Sequence, residues 1–226
     1  MKPPSVKPRA ILFDWDNTLV DTWDCIREAI NATLTHMGHA EWTLEETKAR
    51  VAASLRDSFP RLFGNRWTEA RRHFYASFEA IHIARLKALP EAEEMLIDLR
   101  RQGIYLAVVS NKKGEFLRRE ANHLGWTGHF GRLVGATDAA ADKPSPAPVL
   151  LALADSGIAP GPDVWFVGDA PIDIECAVNA GCHPVLMRDT GPAMDEFGLC
   201  QPARHVSGCR EFAALVHELL VPISGI

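Results

Sequence analysis

The sequence ILFDWDNTLVDT, at residues 11–22, joins a short apolar run to two carboxylates. The apolar run, residues 10–13, is typical of a buried strand. Asp14 and Asp16 follow it, and residues i and i+2 of an extended segment point the same way. We therefore expect both carboxylates to face one small volume at the carboxyl end of a strand, where open α/β sheets usually place their chemistry.

This geometry suits a site that combines a metal ion and a nucleophile. A calcium-binding EF-hand loop starting at Asp14 is excluded, because its sixth position would be Leu19 instead of glycine and its twelfth Cys25 instead of glutamate. A polar turn after a strand remains the alternative, and this stretch alone does not decide between the two interpretations.

Three further motifs follow along the chain in a fixed order: VVSNK at 108–112, DKPSPAP at 142–148 and FVGDAPIDIECAVNAG at 166–181. Together with DWDNTLVDT at residues 14–22, they resemble the four signature motifs of the haloacid dehalogenase-like (HAD) hydrolases, most closely the phosphoglycolate phosphatase-like group. The resemblance extends from Arg9 to the C-terminal helix. It implies a Rossmann-like, doubly wound parallel sheet with an inserted helical cap domain.

The spacing of apolar residues agrees with this architecture. From residue 90 onward helices and strands alternate, with strands expected at 104–110, 132–136, 164–168 and 184–187 and a last helix at 211–220. Residues 21–88 show only helical spacing, with helices expected at 25–37, after a Thr43–Glu46 capping box, and at 67–87, and a break at 58–66. We expect residues 1–20 and 89–226 to form the α/β core domain and residues 21–88 the helical cap domain.

Composition narrows the classes of partner and compartment. The 226 residues are 47% hydrophobic and carry a net charge of −5, which argues against a nucleic-acid-binding protein. No run is long and apolar enough to predict a membrane span. The five cysteines are odd in number and lack zinc-like spacing, so we expect free thiols in a cytoplasmic protein. We expect a monomer or a homodimer.

The resemblance assigns roles to the residues of the motifs. It makes Asp14 the nucleophile that forms an aspartyl-phosphate, and Asp16 the acid that protonates the leaving alkoxide and then the base that accepts a proton from water. Lys143 is expected to neutralise Asp14 and the phosphoryl group. Ser110 and Asn111 are expected to bind the phosphate, although Ser110 has the alternative of capping the next helix.

A Mg²⁺ ion is the cofactor that the resemblance implies. Asp14, the carbonyl oxygen of Asp16 and Asp169 are the expected ligands, because Mg²⁺ prefers oxygen. Asp173 is expected to support the metal site from behind its direct ligands. Capping the N-terminus of the next helix remains the alternative role for Asp173.

The expected function is Mg²⁺-dependent hydrolysis of a small phosphorylated metabolite, with 2-phosphoglycolate as the first candidate. Four basic residues are the candidates for binding a second anionic group of the substrate: Arg56, Arg61, Lys112 and Lys113. For any single one of them, a position on the surface is the expectation. Two alternatives remain open, a phosphosugar mutase resembling beta-phosphoglucomutase and a non-catalytic phosphate-binding protein.

Overall fold

The structure, a computed structural model, describes residues 7–51 and 55–220, apart from the side chains of Arg56, Asp57 and Leu220. In chain order the strands are β1 Ala10–Phe13, β2 Val20–Asp21, β3 Lys87–Ala88, β4 Tyr105–Lys113, β5 Arg132–Ala136, β6 Val164–Gly168, β7 His183–Met187 and β8 Arg204–Val206. The helices are α1 Trp23–Met37, α2 Leu44–Arg50, α3 Leu55–Phe63, α4 Trp67–Ile81, α5 Ala92–Arg101, α6 Gly114–His123, α7 Ala147–Leu153, α8 Pro171–Asn179 and α9 Cys209–Leu220.

A six-stranded parallel sheet forms the centre of the described part of the chain, in the order β5-β4-β1-β6-β7-β8. The last residue of β1, Phe13, pairs with Val108 of β4 and Val167 of β6. The segments that follow these three neighbouring strands therefore meet at one edge of the sheet. The predicted parallel sheet is confirmed.

Each face of the sheet is covered by helices. Ile11 and Phe13 of β1 pack in one apolar cluster with residues of α5, α6 and α9, whereas Ala10 and Leu12 pack in another with residues of α7 and α8. This alternation follows from the two-residue period of a strand, and burial on both faces explains why β1 reads as a continuous apolar run. The sheet is doubly wound, as predicted.

The segment between β2 and β3, which we call the helical insert, contains α1 to α4. Helices α1, α3 and α4 share an apolar cluster rich in phenylalanine: Phe59, Phe63, Phe74 and Phe78. Phe116 of α6 belongs to the same cluster, so the insert packs onto the α/β core through this ring. The predicted capping box is confirmed, since the Thr43 hydroxyl accepts from the Glu46 N–H and the Glu46 carboxylate accepts from the Thr43 N–H.

The prediction that residues 21–88 are wholly helical is wrong at both ends. There β2 and β3 form an antiparallel pair in which Val20 faces Ala88 and Asp21 faces Lys87. Two residues carry too little pattern to predict a strand, and the two partners are far apart in the sequence. The helix predicted at 67–87 is shorter than expected, since it ends at Ile81 as α4 and a turn leads from it to β3.

The predicted break at 58–66 is wrong for residues 58–63, because α3 runs from Leu55 to Phe63 with Pro60 inside it, whereas Gly64–Arg66 form a 3₁₀ turn that separates α3 from α4. Phe59 and Phe63 are buried in the insert, and their packing outweighs the poor helix propensity of proline. Strand β8 was not predicted, since it has three residues, one of them exposed. Among the described helices, none has both the length and the apolar character that crossing a bilayer requires.

Candidate active site

Asp14 directly follows β1, and its carboxylate lies against an ammonium group. Lys143 Nζ lies 2.7 Å from Asp14 Oδ1 and 2.7 Å from Asp173 Oδ1, and both Asp14 and Lys143 are buried. Lys143 lies in the connection between β5 and α7, and Asn111 holds that backbone: its Oδ1 accepts from the Lys143 N–H and its Nδ2 donates to the Lys143 carbonyl. The side chain of Asn111 therefore positions the lysine; phosphate binding by it stays a prediction.

Asp169 and Asp173 follow β6, the neighbour of β1. Asp173 lies in the first turn of α8, where its Oδ2 accepts from the Ala170 N–H at 3.1 Å. Asp173 thus stabilises the helix N-terminus with one oxygen and binds Lys143 with the other. Asp169 Oδ1 accepts a 3.3 Å hydrogen bond from the Thr18 hydroxyl.

Three carboxylates of this group fit a divalent cation. Asp14, Asp169 and Asp173 each place one carboxylate oxygen within 4.8 Å of the others. All-oxygen ligands are the set that Mg²⁺ prefers, and these acids exceed the single Lys143 ammonium in charge. Because both Asp173 oxygens already accept hydrogen bonds, Asp14 and Asp169 are the better direct ligands, and Asp173 holds Lys143 in place.

The pKa values of these acids reflect their burial first and the surrounding negative charge second. Burial, with the charges of Asp173 and Asp16, raises the pKa of Asp14 to about 7 against the opposing effect of Lys143. Burial, with Asp173 and Asp14, raises the pKa of Asp169 well above its usual value. A bound cation opposes both shifts, since it favours the ionised carboxylates.

Asp16 pairs with a different lysine. Its Oδ1 lies 2.7 Å from Lys112 Nζ, and the Asp16 side chain is 19% exposed while that of Lys112 is 4% exposed. Asp14 and Asp16 nevertheless line the same cavity. Each carboxylate thus has its own ammonium partner. Asn17, the next residue, also lines the cavity and has a φ of 60°, a positive value that asparagine tolerates.

Lys112 also contacts a buried glutamate. Glu120 Oε2 accepts from Lys112 Nζ at 2.5 Å and from Trp15 Nε1 at 2.7 Å, and Glu120 Oε1 lies 2.7 Å from His82 Nδ1. Burial alone would raise the pKa of Glu120, but the Lys112 charge and the hydrogen bonds of His82, Lys112 and Trp15 hold it below its usual value. Burial alone would lower the pKa of Lys112, but the charges and hydrogen bonds of Asp16 and Glu120 raise it. Glu120 and Lys112 therefore form an ionised pair.

The other residues that the sequence singled out are divided between the cavity and the surface. Ser110 lines the cavity inside β4, so it does not cap α6, which begins at Gly114. Lys113 also lines the cavity and pairs with Glu115 at 2.7 Å. A surface position for Lys112 is wrong, because its ammonium is buried between two carboxylates. Arg61 is exposed on α3, and the side chain of Arg56 lies outside the described residues.

The cavity above these residues has a volume of about 150 Å³. Its polar floor comes from the ends of the parallel strands and from α8. Its described wall on the side of the helical insert is entirely apolar or aromatic: Trp23, Ile26, Val51, Leu55, Phe74, Tyr75 and Phe78. The cavity thus has a charged, polar floor and an apolar wall facing it.

Several residues of the site were missed by sequence reasoning. Arg188 of the segment after β7 donates to the Asp169 carbonyl and to both carboxylate oxygens of Glu196, so it holds the loop that carries Asp169. Glu120 and His82 lie within helical patterns that carry no motif. Trp15 gave a signal, because it stands between Asp14 and Asp16 in the first motif.

Comparison with known proteins gives a consistent match. A family model described as haloacid dehalogenase-like hydrolase matches residues 11–187. A phosphoglycolate phosphatase of Aquifex aeolicus is 32% identical over 182 residues, covering 79% of this chain and 84% of that protein. A Clostridium perfringens protein provisionally named pyrophosphatase PpaX is 28% identical over 211 residues, covering 93% and 98%. A solved HAD-superfamily hydrolase from Ehrlichia chaffeensis is 30% identical, with a TM-score of 0.66 and coverage of 96% and 100%.

Proposed function

The chain belongs to the haloacid dehalogenase-like hydrolase family, and from that membership we propose that it is a Mg²⁺-dependent phosphatase that hydrolyses a phosphate monoester of a small metabolite through an aspartyl-phosphate on Asp14. A phosphate monoester resists hydrolysis because its negative charge repels nucleophiles. Its hydrolysis requires a nearby cation, an aligned nucleophile and an acid for the leaving oxygen.

The position of Lys143 is the observation that carries the proposal. A buried ammonium 2.7 Å from Asp14 Oδ1 lies where the phosphoryl group must come to be attacked. Asp173 and Asn111 hold this lysine from two sides. Lys143 can therefore neutralise the phosphoryl oxygens while Asp14 approaches phosphorus, and Ser110 on the same floor supplies a further hydrogen-bonding group.

The reaction has two steps. In the first, an Asp14 carboxylate oxygen bonds to phosphorus, the ester P–O bond breaks, and protonated Asp16 gives its proton to the departing alkoxide. In the second, Asp16 as carboxylate takes a proton from water, the water oxygen bonds to phosphorus, and the P–O bond to Asp14 breaks. Inorganic phosphate leaves, and both acids return to their starting states.

Mg²⁺ would be held by Asp14, Asp169 and the carbonyl oxygen of Asp16. When bound, the ion neutralises charge on the phosphoryl group and fixes its orientation. The clustering of Asp14, Asp169 and Asp173 oxygens supports this assignment, because these carboxylates face one another with the Lys143 ammonium as their charged partner.

The substrate is proposed from the shape and chemistry of the cavity. A cavity of about 150 Å³ has room for a small phosphate ester. The relatives' names give two candidates, 2-phosphoglycolate first and pyrophosphate second. The apolar wall adds a third class, small esters with an aromatic or apolar leaving group.

The proposal also includes the organisation of the protein. Residues 1–20 and 89–226 would form the catalytic core, and residues 21–88 would form a cap that closes over the substrate. A monomer or homodimer in the cytoplasm is proposed, and the five free cysteines support a reducing compartment.

The test is a panel of phosphate esters, with phosphoglycolate, pyrophosphate and p-nitrophenyl phosphate among them, assayed for released phosphate with and without Mg²⁺. We expect hydrolysis that stops in chelator and returns with Mg²⁺, and an Asp169→Ala variant that needs more Mg²⁺ than the wild type. Undiminished activity in chelator would contradict the metal assignment.

The same assay separates the two alternatives. A phosphosugar mutase would release little phosphate and would require a catalytic amount of a sugar bisphosphate. A non-catalytic phosphate-binding protein would bind esters without turning over any of them.

A further inference from the structure

The buried group of Glu120, Lys112 and His82 has no role in the two steps above. Glu120 accepts from three donors on three separate segments: Trp15 in the loop between the catalytic acids, Lys112 at the end of β4 and His82 directly after α4. The side chains of Glu120 and His82 are fully buried. One carboxylate thus connects the nucleophile loop, the sheet and the helical insert.

The protonation of the group follows from its contacts. An ionised carboxylate can only accept hydrogen bonds, so His82 Nδ1 must donate to Glu120 Oε1. Glu120 is the only hydrogen-bond partner of the His82 ring among the described residues, since Nε2 has none there. The hydrogen bond of His82 is therefore directed solely at Glu120, while its ring packs against Phe78 and Phe116.

Lys112 transmits the position of Glu120 to the site. Its ammonium group lies 2.5 Å from Glu120 Oε2 and 2.7 Å from Asp16 Oδ1, so two carboxylates together hold the ammonium group in place. Lys112 donates to Oδ1 of Asp16, which leaves Oδ2 to carry the proton for the leaving oxygen of the substrate. A lysine without Glu120 would have a flexible stem and would no longer be restrained in this position.

Fold stability alone does not account for this group. Buried ion pairs contribute little net stability, because the desolvation of the charges offsets their attraction, and apolar residues of similar volume often serve as well. A carboxylate with three donors next to the catalytic acid has a geometric consequence that an apolar cluster would lack: it fixes where the ammonium group lies.

We propose that Glu120 is a positioning residue for the acid/base step: it holds Lys112 against Asp16 and, through His82, makes that arrangement depend on the docking of α4 onto the core. The proposal rests on the proposed function, because it requires Asp16 to protonate the leaving group. When the helical insert moves away, His82 leaves Glu120 and the restraint on Lys112 weakens. The acid is then correctly aimed only when the cavity is closed.

The test uses the dependence of the rate on the leaving group in a Glu120→Gln variant. An alkyl phosphate such as glycerol phosphate needs a proton on its leaving oxygen, whereas p-nitrophenolate leaves without one. We compare kcat/KM, which reports the first chemical step in both cases. We expect Glu120→Gln to lose at least about tenfold more on the alkyl ester than on p-nitrophenyl phosphate, a difference of about 1.4 kcal/mol in the barrier.

A second variant keeps the proposal testable if Glu120→Gln does not fold. His82→Phe keeps a ring against Phe78 and Phe116 but removes the donor to Glu120, and it should show the same selective loss at smaller size. Glu79→Gln is the matched control, because Glu79 of α4 pairs with Arg119 of α6 at 2.8 Å, across the same two helices, without touching Lys112. It should lower both rates equally or not at all.

If the folded Glu120→Gln and His82→Phe variants lose the same factor in kcat/KM on both esters, the group has a structural role only and the proposal is overturned. The proposal is also overturned if kcat/KM is unchanged on both esters. Failure of the proposed function is distinguishable, because the wild type would then hydrolyse neither ester.

Discussion

Asp14 shows how a single residue can be costly to the fold and necessary to the site. It is buried among acids, and its pKa is raised to about 7 because burial and its neighbours disfavour its charge. The same neighbours form the proposed Mg²⁺ site. The residue therefore lowers the stability of the metal-free protein at the pH where it is ionised, and the stability returns when a cation binds.

The first prediction concerns catalysis by this residue. Asp14→Asn should leave the fold intact and lower kcat by about a thousandfold or more, because an amide is a poor nucleophile and a weaker metal ligand. Steady-state kinetics, with circular dichroism as the check on folding, measures this. A variant that keeps more than about a hundredth of the wild-type rate contradicts the nucleophile assignment.

The second prediction concerns stability and pH in chelator. The folded-state pKa of Asp14 is about 7, above its ordinary 3.8, so the folded protein retains a proton that the unfolded chain has released. Stability should therefore fall as pH rises from about 4 to about 7, and the penalty is complete above that range. Asp14→Asn removes it and should raise the free energy of unfolding at pH 8 by at least about 1 kcal/mol, with little effect near pH 4.

Urea unfolding at both pH values measures this difference. Asp189→Asn is the control, because Asp189 is exposed, and it should change neither value. An Asp14→Asn variant that is no more stable than the wild type at pH 8 would show that Lys143 fully compensates the buried charge.

At the scale of elements, the turn from β6 into α8 brings two carboxylates into the site. Gly168 ends β6, and a Cβ there would lie 2.3 Å from the Cβ and Cγ of Asp173. The close approach is therefore possible only for glycine, and it lets α8 begin next to the strand with Asp173 against Lys143.

The third prediction follows from this approach. Gly168→Ala should displace Asp173, release one of the two restraints on Lys143, and lower kcat/KM by about tenfold or more. Gly128→Ala is the matched control, since a Cβ at Gly128 meets nothing within 4 Å. Equal kinetics of the two variants would mean that α8 can shift without cost to the site.

At the scale of the whole molecule, a strand pair and the packing of α4 on α6 join the helical insert to the core. The antiparallel pair of β2 and β3 brings both ends of the insert together, and Phe116 and the His82–Glu120 hydrogen bond join α4 to α6. A two-residue strand pair is a weak link, which suits a hinge, while the packing through Phe116 suits the closed state. We expect the insert to open and close during turnover.

The fourth prediction tests recognition by the insert. If α3 contacts the substrate through Arg56, Arg56→Ala should raise KM for a carboxylate-bearing ester such as phosphoglycolate by about tenfold, or about 1.4 kcal/mol, and leave p-nitrophenyl phosphate almost unchanged. Arg61→Ala, on the same helix and exposed, is the control and should change neither KM. Equal losses on both esters would assign Arg56 to the structure of the insert.

Sequence alone determined the sheet and the region of the site, because both depend on local patterns in a fixed order. A buried strand shows itself in a run such as residues 10–13, and a motif at the end of each strand is carried to the same edge by parallel pairing. The strand pattern placed Asp14 at this edge, and the resemblance of the four motifs named Lys143, Asp169 and Asp173 before any contact was known.

The tertiary structure alone decided which groups these residues meet. Trp15 and Glu120 are 105 residues apart in the chain, and no local pattern of α6 distinguishes a glutamate that is buried from one that is solvated. The same holds for Lys112, whose expected surface position was wrong, and for α3, in which packing of Phe59 and Phe63 outweighs Pro60. Propensity and period act over a few residues, whereas burial and charge pairing depend on partners that only the folded chain brings together.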